Sequence, residues 1–540
     1  MAQQHHPEAI IIGAGHNGLV CACYLAQAGV RVTMLERRHV VGGAAVTEEF
    51  HPGFRNSVAS YTVSLLNPRV ITDLRLAEHG LRILERPMNN LLPLPGGDAF
   101  SARVDDAALR QEVARFSPRD ADRLAEFQRM LEVVADQLRA TLLETPPGPG
   151  GGLQALLAAL RLGRRTRALP ASAQRDLHEI FTRSAGEILD DWFESEPIKA
   201  LYGFDAVVGN YAGPYAPGSA YVLLHHAFGE VNGRRGVWGH AVGGMGAITQ
   251  AMAAEARQRG VTVITDAEVS QVQVHAGRAS GVVLADGREL SADMVIANVN
   301  PRLLYLQMID ANHLDPEFHG RIRRYRCASG TLRMNVALSE LPRFDCLPGA
   351  GMQPGHQSGI VIAPSLQYME QAWLDARQHG WSRRPVVEMM IPSTMDASLA
   401  PDGQHVASLF CQHFAPQLPD GRAWDDHAQE AADCVIDTVT EYAPNFRASI
   451  LGRMVLTPVD LERKFGLIGG DIFHGSLGLD QLFSARPVLG YGAYRGPLRG
   501  LYMCGSGTHP GGGVTGAPGH NAAREILRDL RRPGRGHLRT

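Results

Sequence analysis

Three groups of residues have types and spacing suited to chemistry. The first is Gly13-Ala14-Gly15-His16-Asn17-Gly18, with Glu36 following 18 residues after Gly18. Glycines in this G-x-G-x-x-G order allow a tight turn at Gly13 and a close approach of backbone N–H groups to a pyrophosphate at Gly15. Gly18 then lets a helix pack against a strand. The helix N-terminus offers partial positive charge to the phosphates, and Glu36 suits the ribose hydroxyls. The second group is the run from Gly505 to Gly516, GSGTHPGGGVTG, a glycine loop that opens another helix. Its dipole would stabilise negative charge on a bound ring. The third is a pair of histidines, His240 and His474, the candidates for handling a proton because imidazole titrates near neutrality.

The elements that must position these groups are legible around them. Glu8 to Ile12 reads as a short apolar strand, and Leu19 to Ala28 carries a helical period that Gly29 closes. Val30 to Leu35 alternates as a second strand ending at Glu36. Gly243-Gly244-Met245-Gly246 leads into a helix over Ile248 to Arg259. Strands follow at Val261 to Thr265, Val269 to Val274 and Met294 to Ala297, the last running into Asn298. Leu501 to Cys504 reads as a strand before the glycine loop, with a helix from near Gly519 to Leu530. One strand–helix–strand unit is too small for a flavin dinucleotide. The pair Gly42-Gly43 beyond Glu36 extends the cradle, and the ring must be held by another part of the chain. The cofactor domain is therefore expected to be discontinuous, over residues 1–64, 236–300 and 491–530. A substrate domain takes 65–235 and 301–490, and a basic tail 531–540.

Composition narrows the class. The chain has 540 residues, 45% of them hydrophobic and 20% charged, with a net charge of −3, which suits two or three packed domains and not a disordered chain. The near-neutral balance speaks against nucleic acid as a partner. Of 52 basic residues, all but Lys199 and Lys464 are arginine. Seven cysteines without a C-x-x-C or C-x₄-C pair make neither a disulfide framework nor a disulfide reductase. H-E-x-x-H, G-x-S-x-G and G-x-x-x-x-G-K-[ST] are absent, no metal site is expected, and His225-His226 is the nearest approach to a cluster. Met1 to Pro7 lacks the pattern of a signal peptide, so a cytoplasmic protein is expected.

The blocks GAGHNGL, ERRHVVGGAAVTEE, GGMGAITQAM and CGSGTHPGGGVTGAPGHNAA resemble those of the phytoene desaturase-type FAD oxidoreductases, a layout shared by bacterial β-carotene ketolases. The likeness covers nearly the whole chain. It implies an α/β fold: a discontinuous Rossmann-like FAD-binding domain with a mixed α+β substrate domain of the amine oxidase and phytoene desaturase type. It places Gly13, Gly15, Gly18, Glu36, Arg37, Gly42, Gly43, Val269, Gly505 and Val514 around FAD, and Asn17, Ala44, Asn298, Ser506, Gly513 and Thr515 join them from the same segments. His240 stands where the family often carries an aromatic.

The implied activity is hydride transfer between a hydrophobic, polyene- or isoprenoid-like substrate and flavin N5. With no second dinucleotide fingerprint, electrons would pass to oxygen or a quinone. The alternatives are an amine oxidase-like flavoenzyme and an FAD-bound regulatory or partner-binding protein. Tyr202, Phe204, Tyr211, Tyr215 and Tyr221, with Phe473 and Gln481, are candidates for the substrate side or for ordinary core. Leu153 to Leu160 is an apolar stretch followed by Arg161, Arg164, Arg165 and Arg167. A buried helix or subunit contact is the favoured reading, and a peripheral segment in a membrane interface the other.

Overall fold

The computed structural model describes residues 7–149, 151–349 and 351–531. The amino-terminal residues before Pro7 and the basic tail from 532 onward lie outside them.

The chain starts as the local pattern dictates. Strand β1, Glu8–Ile12, turns at Gly13 into helix α1, His16–Gln27, and returns as β2, Arg31–Leu35. Gly29, at φ +85°, follows the last helical turn in the left-handed conformation that ends helices. Three further strands complete a five-stranded sheet: β3, Thr262–Ile264, β4, Met294–Ala297, and β5, Leu501–Met503. Their order is β3-β2-β1-β4-β5 and every pair is parallel. The strand order reverses between β1 and β4, and the carboxyl ends of strands at such a switch point open a crevice.

Both faces of this sheet are covered. Alternate residues of β1 point opposite ways. Ala9 and Ile11 pack with Leu19, Val32, Ile248 and Met252, whereas Ile10 and Ile12 pack with Val269, Val272, Leu304 and Tyr305. Between the sheet's third and fourth strands lies an antiparallel trio, Val269–His275, Arg278–Leu284 and Glu289–Ser291.

A second sheet of seven strands runs Ile450–Leu456, Thr331–Leu338, His405–Phe414, Trp381–Met390, Gly359–Ile362, Met88–Pro93, Ala99–Arg103 in spatial order. One face is apolar: Leu332, Met334, Leu409 and Met389 meet Val435, Ile436 and Val439 of the helix Trp424–Thr440. The other face is polar and still buried. Arg333, Phe410 and Glu388 stand in one row across three strands. Asn335 on this face exchanges hydrogen bonds with Asn56 (3.0 Å) and the Ser57 carbonyl (2.9 Å), which fastens the second sheet to the segment following Gly42-Gly43.

Helices between residues 106 and 226 gather around Leu124, Phe127, Leu189, Phe204 and Tyr221, in a core that also takes Leu92, Val361, Val386 and Phe410 from the second sheet. Among these helices, Gly152–Arg167, α2, contradicts the reading of a buried helix: none of its residues is buried. The final helix, α3, is Ala517–Leu530 and crosses α1 so closely that a Cβ on Gly519 would lie 2.1 Å from the Asn17 carbonyl oxygen.

Two helices begin earlier than their local pattern indicates. Met245–Gln258 starts three residues before Ile248 because Ser57 Oγ and Thr47 Oγ1, distant in sequence, accept the free N–H groups of Met245 (2.9 Å) and Gly246 (3.0 Å). α3 starts at Ala517, whose N–H donates to Thr515 Oγ1 at 3.1 Å. No helix among the described residues is long and apolar enough to cross a membrane.

Candidate functional site

A cavity of about 380 Å³ opens at the carboxyl ends of β1 and β4. Of the sixteen residues expected around a dinucleotide, Gly13, Gly15, Asn17, Glu36, Arg37, Gly43, Ala44, Val269, Asn298 and Ser506 line it.

Backbone constraints explain the glycines. Gly13 has φ +90° and its N–H donates to the Leu35 carbonyl at 2.8 Å, so the turn is bound to β2. A Cβ on Gly18 would sit 2.5 Å from the Gly13 carbonyl oxygen and 2.8 Å from Asn298 Nδ2. Gly18 therefore keeps α1 against the turn and does not itself line the cavity. Gly42, at φ +125°, has Ala45 O and Thr249 Oγ1 each 2.7 Å from where its Cβ would be, and its N–H donates to the Ala14 carbonyl (2.9 Å). The two glycine segments are thus stitched together before any ligand binds.

Glu36 is 5% exposed. Its carboxylate accepts the Ala14 N–H at 2.8 Å and the Arg38 N–H at 3.1 Å, which aims it across the crevice. Asn17 Nδ2 donates to Ser506 Oγ at 3.1 Å, joining α1 to the carboxy-terminal loop across the whole length of the chain. Asn17 Oδ1 is buried with no hydrogen-bond partner, as are His16 Nε2 and His474 Nδ1, and all three residues line the cavity. A buried polar atom without a partner costs free energy unless a ligand supplies one. Gly513, Val514 and Thr515 stand further along the same loop, outside the cavity lining. Gly513 is covered by Leu65 and His225, and Val514 adopts φ +57°. Gly505 packs on Asn298, whose Oδ1 would be 3.2 Å from an added Cβ.

The two proton-handling candidates part company. His474 lines the cavity, while His240, 2% exposed, does not. His240 Nε2 lies 3.1 Å from Asp396 Oδ2, and Asp396 also accepts the Gly243 N–H at 2.6 Å. That pairing ties the loop before Met245–Gln258 to the second sheet. Burial pushes the Asp396 carboxyl upward, but His240 and the Gly243 and Ser398 donors outweigh it and hold it well below the carboxylate range. Gln481 is engaged with the Arg326 backbone at both N–H (2.8 Å) and carbonyl (3.0 Å). Tyr221 and Phe204 are core, and the Tyr215 hydroxyl donates to Asp190 at 2.9 Å.

Several residues of the site carry no local sequence signal. His16 occupies a variable place in the glycine motif. Lys464 and Phe465 arrive from the second half of the chain: Lys464 Nζ lies 2.5 Å from Glu48 Oε2, Arg38 pairs with the same carboxylate, and both cations lie over the Phe465 ring. Burial raises the Glu48 carboxyl, and the two cations more than reverse it. Lys464 was marked only by rarity, as one of two lysines. Arg486 is the least expected. It is fully buried, and its guanidinium donates to the carbonyls of Phe473, Gly475, Ser476, Gln481 and Ser506 at 2.5–3.3 Å. It therefore holds both sides of His474, at φ +58°, against Ser506.

Burial lowers the pKa of His16 to about 4 and that of His474 to about 3, with Arg486 and then His16 adding to the latter. His225 and His413 fall to about 3 and His509 to about 4, burial being the leading cause in each. The unfolded chain takes up these protons first, from the ordinary value of 6.5 downward. The stability from keeping the rings neutral is complete above that value and is lost as pH falls toward the folded values. Each ring contributes at most about 1.4 kcal/mol per pH unit in that window. Urea midpoints are expected to fall between about pH 6.5 and pH 5, ahead of carboxylate titration, and His474→Gln should make the fall shallower. A flat profile down to about pH 5 would rule this out.

The profile of the family described as flavin containing amine oxidoreductase matches residues 18–331. The chain is 43% identical to the pyridine nucleotide-disulfide oxidoreductase domain-containing protein 2 of Rattus norvegicus, over 97% of this chain and 94% of that protein. It is 26% identical to a phytoene desaturase (lycopene-forming) of a Paracoccus species, with 97% of each chain covered. Among solved structures, cyclohexylamine oxidase from Brevibacterium oxydans has the same fold, with a TM-score of 0.59 at 16% identity, covering 98% of this chain and 100% of the other.

Proposed function

This chain belongs to the flavin containing amine oxidoreductase family, and from that premise we propose that it exchanges hydride between a carbon atom of an apolar, isoprenoid-like substrate and its flavin. It is an FAD-dependent oxidoreductase. FAD, when bound, supplies a two-electron acceptor at N5.

The observation that carries the reading is one cavity lined by a glycine turn, a helix N-terminus, the Glu36 carboxylate and buried polar atoms that lack partners. Glu36 would accept hydrogen bonds from ribose hydroxyls, and the N-terminus of α1 with the Gly13–Gly15 backbone would receive the pyrophosphate. Asn17 and Ser506, which line the cavity, would offer polar atoms to the bound cofactor. Arg37, Gly43, Ala44, Val269 and Asn298 would form the walls, with Gly42 and Gly505 packed outside the lining. Gly513, Val514 and Thr515 precede α3, whose positive end would favour added negative charge on a ring bound near it.

His474, with a pKa of about 3, is a neutral hydrogen-bonding group near neutral pH and not an acid. That suits a reaction in which the protein moves no proton at that atom. Apolar side chains close over the glycine loop. A Cβ on Gly512 would meet Phe473 Cα at 2.8 Å, one on Gly513 would meet Leu65 Cδ1 at 2.6 Å, and the Phe473 and Phe228 rings flank His225. These contacts pack the glycine loop and lie outside the cavity lining, and it is the likeness to a phytoene desaturase that supports an apolar substrate. Oxygen or a quinone completes the turnover.

An amine oxidase-like activity requires aromatic rings open to a cation. The stacked pair Tyr61 and Phe410, with centroids 5.2 Å apart, is already capped by the Arg333 guanidinium 4.7 Å from the Tyr61 ring. That internal cation disfavours an ammonium group beside it. Anaerobic mixing with a panel of polyenes, terpenoids and amines tests the reading through loss of visible flavin absorbance. Bleaching by isoprenoid hydrocarbons is expected. Bleaching by amines alone would move the chain to the amine oxidase reading, and bleaching by neither to a flavin-bound regulatory role.

A further inference from the structure

Helix α2 presents its apolar side outward. Leu153, Leu156, Leu157 and Leu160 are 71%, 55%, 48% and 50% exposed. At 3.6 residues per turn these four fall within an arc of about 100°. The half-buried residues of the helix, Ala155, Ala158 and Thr166, lie on the opposite side, which also carries Leu162, 40% exposed. A helix designed only for water and its own core would turn the leucines inward.

The charge on α2 is equally one-sided. It contains Arg161, Arg164, Arg165 and Arg167 and no Asp or Glu. Among the described residues only Arg165 of these four has an ion-pair partner, Glu144 at 3.5 Å. Arg164 and Arg167 continue the leucine side along the axis, Arg161 borders it, and Arg165 turns toward the half-buried side, where it meets Glu144.

We propose that α2 docks the protein on an anionic lipid bilayer. It lies in the plane of the interface with its leucines among the acyl chains and its guanidiniums at the level of the lipid phosphates. A second copy of the chain fits this face less well. A two-fold contact would gather eight arginines in one interface, with no acid on either helix to receive them. The inference concerns where the enzyme works and stands apart from the redox reading.

Sedimentation with vesicles tests it, using phosphatidylcholine alone and phosphatidylcholine with about one-third phosphatidylglycerol. Holoprotein is expected to bind the anionic vesicles about tenfold or more tightly than the neutral ones, and several-fold more weakly in about 0.5 M salt. Leu153→Ser/Leu157→Ser/Leu160→Ser should lower binding about tenfold while the flavin spectrum and urea midpoint stay as in the wild type. Arg164→Glu/Arg165→Glu should abolish the preference for anionic lipid. Absence of binding, equal binding to both lipids, or wild-type binding by the leucine variant would each overturn the proposal. So would a dimer that the leucine variant converts to monomer without any lipid binding.

Discussion

Purified Gly15→Val/Glu36→Ala protein should emerge colourless where the wild type is yellow. Gly15 is the N-cap of α1 and lines the cavity, and Asn298 Nδ2 already stands 3.0 Å from where its Cβ would be. A valine there fills the space between the helix N-terminus and any phosphate and forces Asn298 to give way. Glu36→Ala removes the buried carboxylate, and with it the hydrogen bonds that carboxylate would accept from a ribose. A hydrogen bond to a charged group contributes about 1.5–3 kcal/mol. Two of them amount to about a hundredfold or more in affinity, before the steric effect of valine is counted. Far-ultraviolet circular dichroism close to that of the wild type separates lost binding from lost folding, and Glu36→Gln should retain part of the flavin. Stoichiometric flavin in the double variant would refute the site.

Arg486→Met should cost several kcal/mol, because each buried acceptor left without its hydrogen bond costs about 1–3 kcal/mol. No carboxylate faces Arg486 at ion-pair distance among the described residues, and five carbonyls share its guanidinium. Without it the carbonyls of Phe473, Gly475 and Ser506 are left buried and unpaired, and the loop carrying His474 loses its attachment to Ser506. Burial holds the nearby Asp471 carboxyl above its ordinary range, while the Phe473 N–H and then Arg486 pull it down. Removing the cation therefore also makes that carboxylate harder to keep ionised. The expected signature is a lowered urea midpoint with flavin released before the secondary structure melts. Arg486→Lys, which keeps the charge but cannot span five acceptors, should recover only part of the loss. Wild-type midpoint and flavin content in the methionine variant would remove Arg486 from any positioning role.

Much of the glycine cradle was legible because its logic is local. Gly13, Gly15, Gly18 and Glu36 belong to one strand–turn–helix–strand unit, and each is required by a backbone approach within that unit. Asn298 was legible for the same reason, as the residue where β4 ends. The helix at Met245–Gln258 was recognised but its start was not. Its first N–H groups are satisfied by Ser57 and Thr47, which no local pattern connects to it. Lys464, Phe465 and Arg486 escaped notice because their roles depend on which loops meet. His240 and His474 looked alike as sequence, and only the fold separates a histidine held by Asp396 from one that lines the cavity. The leucine stripe of α2 shows the limit of periodicity: it tells which residues share a side of a helix, and nothing about which way that side turns.

The amino-acid order by itself determined that a glycine turn and a buried acid meet at one crevice, because the strand, tight turn, helix and second strand follow one another within a single local unit and the turn needs the backbone freedom of glycine. Tertiary structure alone decided that Asn17 meets Ser506, that Arg486 gathers five carbonyls around His474, and that α2 turns its leucines to the outside. Contacts between segments hundreds of residues apart depend on how sheets and helices pack, and packing is a property of the assembled core, not of any stretch of chain.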